Sequence, residues 1–424
     1  MTGRPRRRWL AAKVSVALWV TALGVVAGCT SAPPATTAAS DGPLRLGTLV
    51  PATGDLAYLG PAERAGIALA VKEVDRAGGV LGQPVAMVEG DSGDAYSSVA
   101  SQTVDRELAQ KVGAIVGATG SSVTMEVIDK VVGGGVVLVS PADTSDRLAT
   151  YPAHGLYFRM VPPDALQARV LGGLLEQPTR RSVAIMHVRD VYGSGLAADV
   201  AAAVASAGGN VVADVEYDGQ AADLTGAVTQ VAAAAPDAIV LAGGGESRTI
   251  IKDLVAAGVG PSAVPLYLTD LNLSNALAAG LPKTSIDGVT GTRPGVAPSQ
   301  AFLSALAAQA PGLSDVGYAA QSYDAVIMIA LAADAAGSVH GHAIAAQLPE
   351  VANGPTACTS YPSCLALIRS GRSVGYVGAS GPVPLDAGGT PTAGTIGVYR
   401  FGADGTYPST GVDYVTGTVA LPAP

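Results

Sequence analysis

Aromatic side chains are scarce in this sequence, with three Phe and two Trp among 424 residues. Large rings therefore cannot dominate its cores, and packing falls to Ala, Val, Leu and Ile. Charge is thin as well, at 14% of residues against 49% apolar. That ratio excludes disorder as a description of the chain and permits sizeable buried cores. No Lys/Arg cluster longer than a pair follows Arg8, and the formal net charge is −9. An acidic body of this kind argues against a nucleic-acid partner.

Histidine and cysteine are equally sparse. His154, His187, His340 and His342 are dispersed, and the close pair His340/His342 reads as part of a polar Gly-containing loop. Gly371-Arg372-Ser373-Val374-Gly375 has the spacing Gly-x-Ser-x-Gly but no accompanying catalytic pattern, and no Gly-x-x-x-x-Gly-Lys phosphate loop or His-Glu-x-x-His occurs. Gly133-Gly134-Gly135 lacks the spacing of a dinucleotide fingerprint and reads as a helix end before a strand. An enzyme is therefore the weaker reading, and neither a cofactor nor a metal is expected. Of three cysteines, Cys358 and Cys364 lie close together. In an exported protein such a pair is expected to form a disulfide, with free buried thiols as the alternative. A metal site would need more ligands than that stretch contains.

The N-terminus carries the pattern that implies export. Arg4, Arg6, Arg7 and Arg8 precede a predominantly apolar run from Trp9 to Val26, closed by Val26-Ala27-Gly28-Cys29. Small residues before a cleavage point mark a signal peptide of residues 1–28 rather than a spanning helix. Cys29 directly after Ala-Gly resembles a bacterial lipobox, which makes it the expected lipid-modified first residue; a plain secretory signal is the alternative. Removing residues 1–28 removes five positive charges and no acids, taking the net charge to −14. Residues 29–43 then form a small, polar, Pro-containing linker that lets a body stand off a membrane surface.

The body begins with βαβ logic. Its centre is Ala114-Ile115-Val116-Gly117, an apolar-periodic helix, and Val136-Val137-Leu138-Val139-Ser140. Two β-branched runs flanking one helix make a βαβ unit, and each strand runs out into small hydroxylated residues. In an open parallel sheet, ligands sit beyond the carboxyl ends of strands, where the next helix offers free N–H groups. Ser121 and Thr144 are placed to receive an anion such as a carboxylate, or else they are ordinary N-caps.

Other strands are expected at 44–51, 84–89, 182–187, 211–215, 238–242 and 265–268, separated by helices. Asp94 reads as an N-cap. The passages 157–164, 288–295 and 376–384 are rich in Pro or Gly and read as crossings between bodies. Strand–helix alternation twice over implies that both halves are α/β with mostly parallel sheets.

Several segments together resemble the solute-binding proteins of branched-chain amino-acid ABC importers. They are Ala77-Gly78-Gly79-Val80-Leu81-Gly82, Asp91-Ser92-Gly93-Asp94, Ile115-Val116-Gly117 with Ser121-Ser122, Ser140-Pro141-Ala142-Asp143-Thr144, Tyr192-Gly193-Ser194-Gly195 and Gln321-Ser322-Tyr323-Asp324-Ala325. The resemblance spans about 44–414 and implies a type I periplasmic-binding fold of two Rossmann-like lobes hinged by three crossovers. Lobe one is expected at 44–160 and 293–375, lobe two at 161–292 and 376–424.

By the same resemblance, Ser121 and Thr144 hold a ligand carboxylate, and Ala142 offers its carbonyl to the amino group. Asp270 completes the amino site, Tyr192 closes over the ligand, and Tyr318 lines the side-chain pocket. The expected partners are an amino acid or related amide or amine, the permease subunits, and the membrane through the lipid, with the protein a monomer. A ligand-sensing receptor of the same fold is the alternative. Three departures point to an altered side-chain pocket and a ligand other than leucine. Gly243-Gly244-Gly245 stands where a Tyr often sits, Asp143 lies beside the carboxylate site, and Leu59 replaces an aromatic.

If Cys29 carries the lipid, Cys29→Ala will release the protein into the soluble exported fraction or leave it unprocessed. Wild-type fractionation and migration of that variant would refute the anchor.

Overall fold

Strands and helices alternate from the first strand onward in the computed structural model, which describes residues 42–177 and 181–419. Cys29 and the whole leader lie outside the described residues. Five strands, β1 (Arg45–Leu49), β2 (Ala86–Val88), β3 (Ala114–Gly117), β4 (Val137–Ser140) and β5 (Tyr157–Arg159), form a parallel sheet in the order β2-β1-β3-β4-β5. Successive strand residues point to opposite faces. Ala114, Val116, Val137 and Val139 enter a core shared with the helices Gly60–Arg76, Ala319–Ala336 and Gly341–Asn353. Ile115, Leu138 and Tyr157 enter another, with Val99–Ala109 and Ser121–Gly133. Both faces are thus covered, which is why these strands read as unbroken apolar runs.

The second sheet begins with β6 (Ser182–Val188), β7 (Asn210–Tyr217), β8 (Ala238–Ala242), β9 (Leu266–Leu268) and β10 (Thr290–Pro294), paired in parallel. The chain then leaves for the helices that cover the first sheet. There it forms a small sheet of β11 (Thr356–Cys358), β12 (Val374–Gly378) and β13 (Gly381–Pro382). It returns as β14 (Ala393–Arg400) and β15 (Asp413–Thr418), antiparallel additions that complete the order β15-β14-β10-β9-β8-β6-β7. Cys358 is disulfide-bonded to Cys364, tying β11 to the helix Tyr361–Arg369.

The three passages expected as crossings also contain strand residues: β5, β10, and the pair β12 and β13. The expected lobe boundaries at 292/293 and 375/376 fall inside β10 and β12. Their prolines sit at or beyond the strand ends (Pro162, Pro163, Pro294, Pro382 and Pro384), where a missing N–H breaks little of the ladder. Punctuation that marks the end of a strand had concealed the strand itself. His340 and His342 likewise lie at the start of the helix Gly341–Asn353, not within a loop.

Helix Gly60–Arg76 ends as Gly78 and Gly79 take positive φ of 107° and 74°, the usual exit for a chain that must turn back. The long helix Ala319–Ala336 is buried along almost its whole length. Among the described residues, no single helix is long and apolar enough to cross a membrane.

Two acids lie inside this frame without a cationic partner. Glu63 is fully buried, with Thr119 Oγ1 donating to Oε2 at 2.5 Å, and Glu107 accepts the Thr48 N–H at 2.9 Å. Burial pushes each carboxyl up to about 8. Between the ordinary value of 4.5 and about 8, the folded chain holds protons that the unfolded chain has lost. Stability is therefore full below that window and falls as pH rises through it, by up to roughly 1.4 kcal/mol per pH unit for each group. Melting temperatures from pH 5 to 8.5 will show this decline, and Glu63→Gln or Glu107→Gln will flatten it. A wild-type slope retained in both variants would rule these acids out as its source.

Candidate functional site

The carboxyl ends of β3, β4, β6, β8 and β9 supply the loops of one site. After β3, Ala118-Thr119-Gly120 leads into a helix whose first residue is Ser121; its N-cap is Gly120, so Ser121 is not a side-chain cap. Its Oγ accepts the Ser145 N–H at 3.1 Å and so fastens the β3 loop to the β4 loop. Ser140 Oγ reinforces the same corner, donating to the Ala118 carbonyl at 2.8 Å and accepting from the N–H groups of Ala142 and Asp143. Arg159, fully buried at the end of β5, donates through Nη1 to the Ser145 carbonyl at 2.9 Å.

Within that braced loop Thr144 is buried, and its hydroxyl has no hydrogen-bond partner. Ala142 is buried and contributes to the apolar core of the second sheet. Asp143 points away from the other expected residues. Its Oδ2 accepts from Tyr157 Oη at 3.0 Å, and burial pushes the carboxyl up to about 6 against the pull of neighbouring hydroxyls and Arg159.

The second sheet brings three of the expected residues together. Asp270, at the exit of β9, is fully buried. It accepts from Tyr192 Oη on Oδ1 at 2.7 Å and from Tyr318 Oη on Oδ2 at 2.5 Å. Burial pushes its carboxyl above the usual range, and the two hydroxyls pull it back. Tyr192 Oη also meets Thr269 Oγ1 at 2.7 Å. Tyr318 holds a left-handed φ of 60° at the start of Ala319–Ala336. A bulky residue adopts that conformation only where its surroundings impose it.

Sequence reasoning missed Asp164, the first residue of the helix Asp164–Leu175. Both of its oxygens are buried without a hydrogen-bond partner, and the Thr144 hydroxyl lies against the carboxyl without completing a bond of normal geometry. Burial and then the charge of Asp270 raise it well above the usual carboxylate range. Its only sequence signal is an acid just after Pro162-Pro163, where Asp commonly starts helices.

Loops from the two sheets meet across a cavity of about 50 Å³ whose lining includes Leu56, Ser121, Asp190, Tyr192, Gly244 and Glu246. Gln220 Nε2 donates to Asp55 Oδ2 at 2.8 Å, Val191 N to Ser122 Oγ at 3.2 Å, and Tyr58 Oη to the Leu271 carbonyl. Leu59 is buried in the same apolar cluster as Ala142 and Tyr318. The glycine tract is a place of close approach: a Cβ on Gly245 would stand 2.7 Å from the Asp55 carbonyl oxygen, and one on Gly243 2.2 Å from Tyr217 Oη. Asp94 is not a cap. The nearest helix starts at Val99, and Asp94 instead accepts the N–H groups of Asp55 at 3.2 Å and Tyr96 at 3.0 Å. A larger depression, about 710 Å³, lies at the opposite end of the first sheet beside Arg45, Lys111 and His340, and none of the expected site residues lines it.

Among the described residues, no cluster of His, Cys, Asp or Glu has the arrangement of a metal site. What the geometry offers is a small recess between loops of the two sheets, lined by Ser121 and Ser122 on one side and by Asp190, Tyr192 and Glu246 on the other, with Asp270 buried behind Tyr192. Such a recess can hold a small polar molecule by its ends.

Comparison with known proteins agrees with this architecture. The chain is 28% identical over 366 residues to the chemotactic signal transduction system substrate-binding protein BasB of Halobacterium salinarum, covering 84% of this chain and 86% of that one. It is 31% identical over 160 residues to the leucine-, isoleucine-, valine-, threonine- and alanine-binding protein of Pseudomonas aeruginosa, covering 37% and 42% of the two chains. Among solved structures, the branched-chain amino acid transporter substrate-binding protein LivJ of Streptococcus pneumoniae, in complex with isoleucine, superposes with a TM-score of 0.73 at 22% identity. That match covers 89% of this chain and all of LivJ, and it establishes a shared fold. The sequence profile of the periplasmic binding protein family matches residues 43–359, and the chain belongs to that family.

Proposed function

We propose that this protein is an extracytoplasmic solute-binding lipoprotein of an ABC importer, capturing an amino acid or a related small amide or amine between its lobes. The observation that carries this reading is Asp270. It is fully buried, held by two tyrosine hydroxyls, and paired with no Lys, Arg or His among the described residues. A buried carboxylate so placed favours a ligand that brings its own positive charge. Ser121 and Thr144, on the facing sheet, are suited by type to the ligand's carboxylate. Relatives named for leucine, isoleucine and valine binding support the amino-acid class.

Under this reading the lobes are the two large sheets with their helices, the small sheet belonging with the first. We place the crossings at about 160–163, 295–299 and 383–392. Ligand entry needs the loops to part, breaking the bonds Gln220–Asp55 and Val191–Ser122, and capture re-forms them by hinge motion. A sensor without a transport role is the second reading, favoured by the chemotaxis system for which BasB is named. Neighbouring genes for permease and ATPase subunits, or for a membrane transducer, separate the two.

Calorimetry of wild type and Asp270→Asn against one panel of amino acids, amides and simple carboxylic acids tests the assignment. Leaving one side of a buried charge pair costs about 3–5 kcal/mol, so affinity should fall roughly a hundredfold or more in the variant. Equal affinities, or a preference for ligands with no amino or amide nitrogen, would overturn it.

A further inference from the structure

The cavity between the sheets has a charge of one sign that the grip on an α-amino acid leaves unanswered. Four acids line it, Asp55 and Asp94 from the first sheet's loops and Asp190 and Glu246 from the second's. No lysine, arginine or histidine lines it. Basic residues near Asp190 in sequence pair with other acids, Arg189 with Glu216 at 3.0 Å and His187 with Asp214 at 3.3 Å, although His187 also pulls the Asp190 carboxyl down.

Glu246 is the most exacting member. Its Oε1 accepts both Tyr217 Oη at 2.7 Å and the Gly244 N–H at 2.9 Å, and among the described residues no side chain donates to Oε2. The glycine tract is what allows this carboxylate to fold back over the cavity wall. A Cβ on Gly243 would stand 2.3 Å from Oε1, and one on Gly244 3.2 Å from Oε2. Across the gap, Asp55 accepts Gln220 on Oδ2 and has no donor on Oδ1 among the described residues. The acids act on one another: after burial, the charge of Asp94 raises Asp55, and that of Asp55 contributes to raising Glu246. Tyr96, beside them, is pushed up to about 12 by burial and then by Asp190, Glu246, Asp218 and Asp55.

Like charges carried on opposite loops oppose the approach of those loops, and a low dielectric between them strengthens the opposition. A neutral aliphatic side chain in the gap would strip water from the acids and return nothing to them. An ammonium or guanidinium group would reverse the sign of the interaction, so that closing the loops is favoured only with the cation inside. Building on the amino-acid reading of this cleft, we propose that the ligand's side chain is cationic, as in a basic amino acid, with its distal charge held among Asp55, Asp190 and Glu246.

The test is calorimetry with L-arginine, L-lysine, L-citrulline and L-leucine on wild type, Glu246→Gln and Asp55→Asn, with circular dichroism melts on each. Citrulline matches arginine in shape but carries no side-chain charge. Arginine or lysine should bind wild type at least about tenfold more tightly than citrulline and leucine, as one charge-assisted hydrogen bond would produce. Glu246→Gln should remove most of that gap, and Asp55→Asn, near the cavity mouth, should narrow it even if the first variant folds poorly. Citrulline or leucine binding wild type as tightly as arginine and lysine would overturn the cationic assignment and leave the amino-acid reading standing. Binding of none of the four would overturn both. A cationic preference unchanged in the folded variants would overturn the role given to these acids.

Discussion

A buried carboxylate without a counter-ion governs this structure. Asp270 sits at the end of a central strand of the second sheet, and both of its oxygens are committed to tyrosine hydroxyls. Those tyrosines come from widely separated parts of the chain. Tyr192 belongs to the helix after β6, whereas Tyr318 introduces the long helix buried against the first sheet. One acid therefore joins elements of both sheets. Hydrogen bonds to a charged group are stronger than those between neutral ones, so the arrangement holds the strand ends in register. Its cost is the desolvation of the carboxylate, which burial makes plain by raising its proton affinity.

On the facing side, rigidity comes from two serine hydroxyls and one buried guanidinium. Ser140, Ser121 and Arg159 hold the loop 142–145 through backbone atoms, leaving the Thr144 hydroxyl without a partner. A loop fixed in this way loses little entropy when it later meets a ligand. The division of labour is physically sensible. Under the proposed function, fixed dipoles on one lobe and a fixed charge on the other would recognise the two ends of a dipolar molecule only when the lobes come together.

Much of this was legible in the sequence, because a parallel sheet covered on both faces writes itself as short β-branched runs. Ala238–Ala242 and Ala114–Gly117 are such runs. The ends of strands were legible too, since helix-starting residues cluster there. What the sequence concealed had two causes. Pro and Gly near Arg159, Pro294 and Pro382 mark strand exits, and the same residues mark linkers, so β5, β10 and β13 read as passages. Pairing across sheets leaves no local trace either. Glu246 was hidden behind three glycines that suggested open space, while the structure uses them to bring Glu246, Tyr217 and the Asp55 backbone together. Asp94 looked like a helix cap because one of its two partners, the Asp55 N–H, is 39 residues away, and the other, the Tyr96 N–H, lies in a turn ahead of the helix.

The acids also bear on how a protein of this shape can be selective without a tight pocket. Asp55 and Glu246 lie on loops of different sheets, so under the proposed hinge motion their repulsion would act only when the lobes approach. Asp164 and Asp270 are both fully buried, and the charge of Asp270 raises the proton affinity of Asp164. Closure then carries an electrostatic penalty that depends on what lies between the loops. A molecule that cannot offset it is rejected at the closing step rather than at first contact, because the open cleft leaves the acids in water. Discrimination of this kind needs no steric fit around the side chain. That is compatible with a wall made of Gly243 and Gly244, where a bulky residue would collide with Glu246.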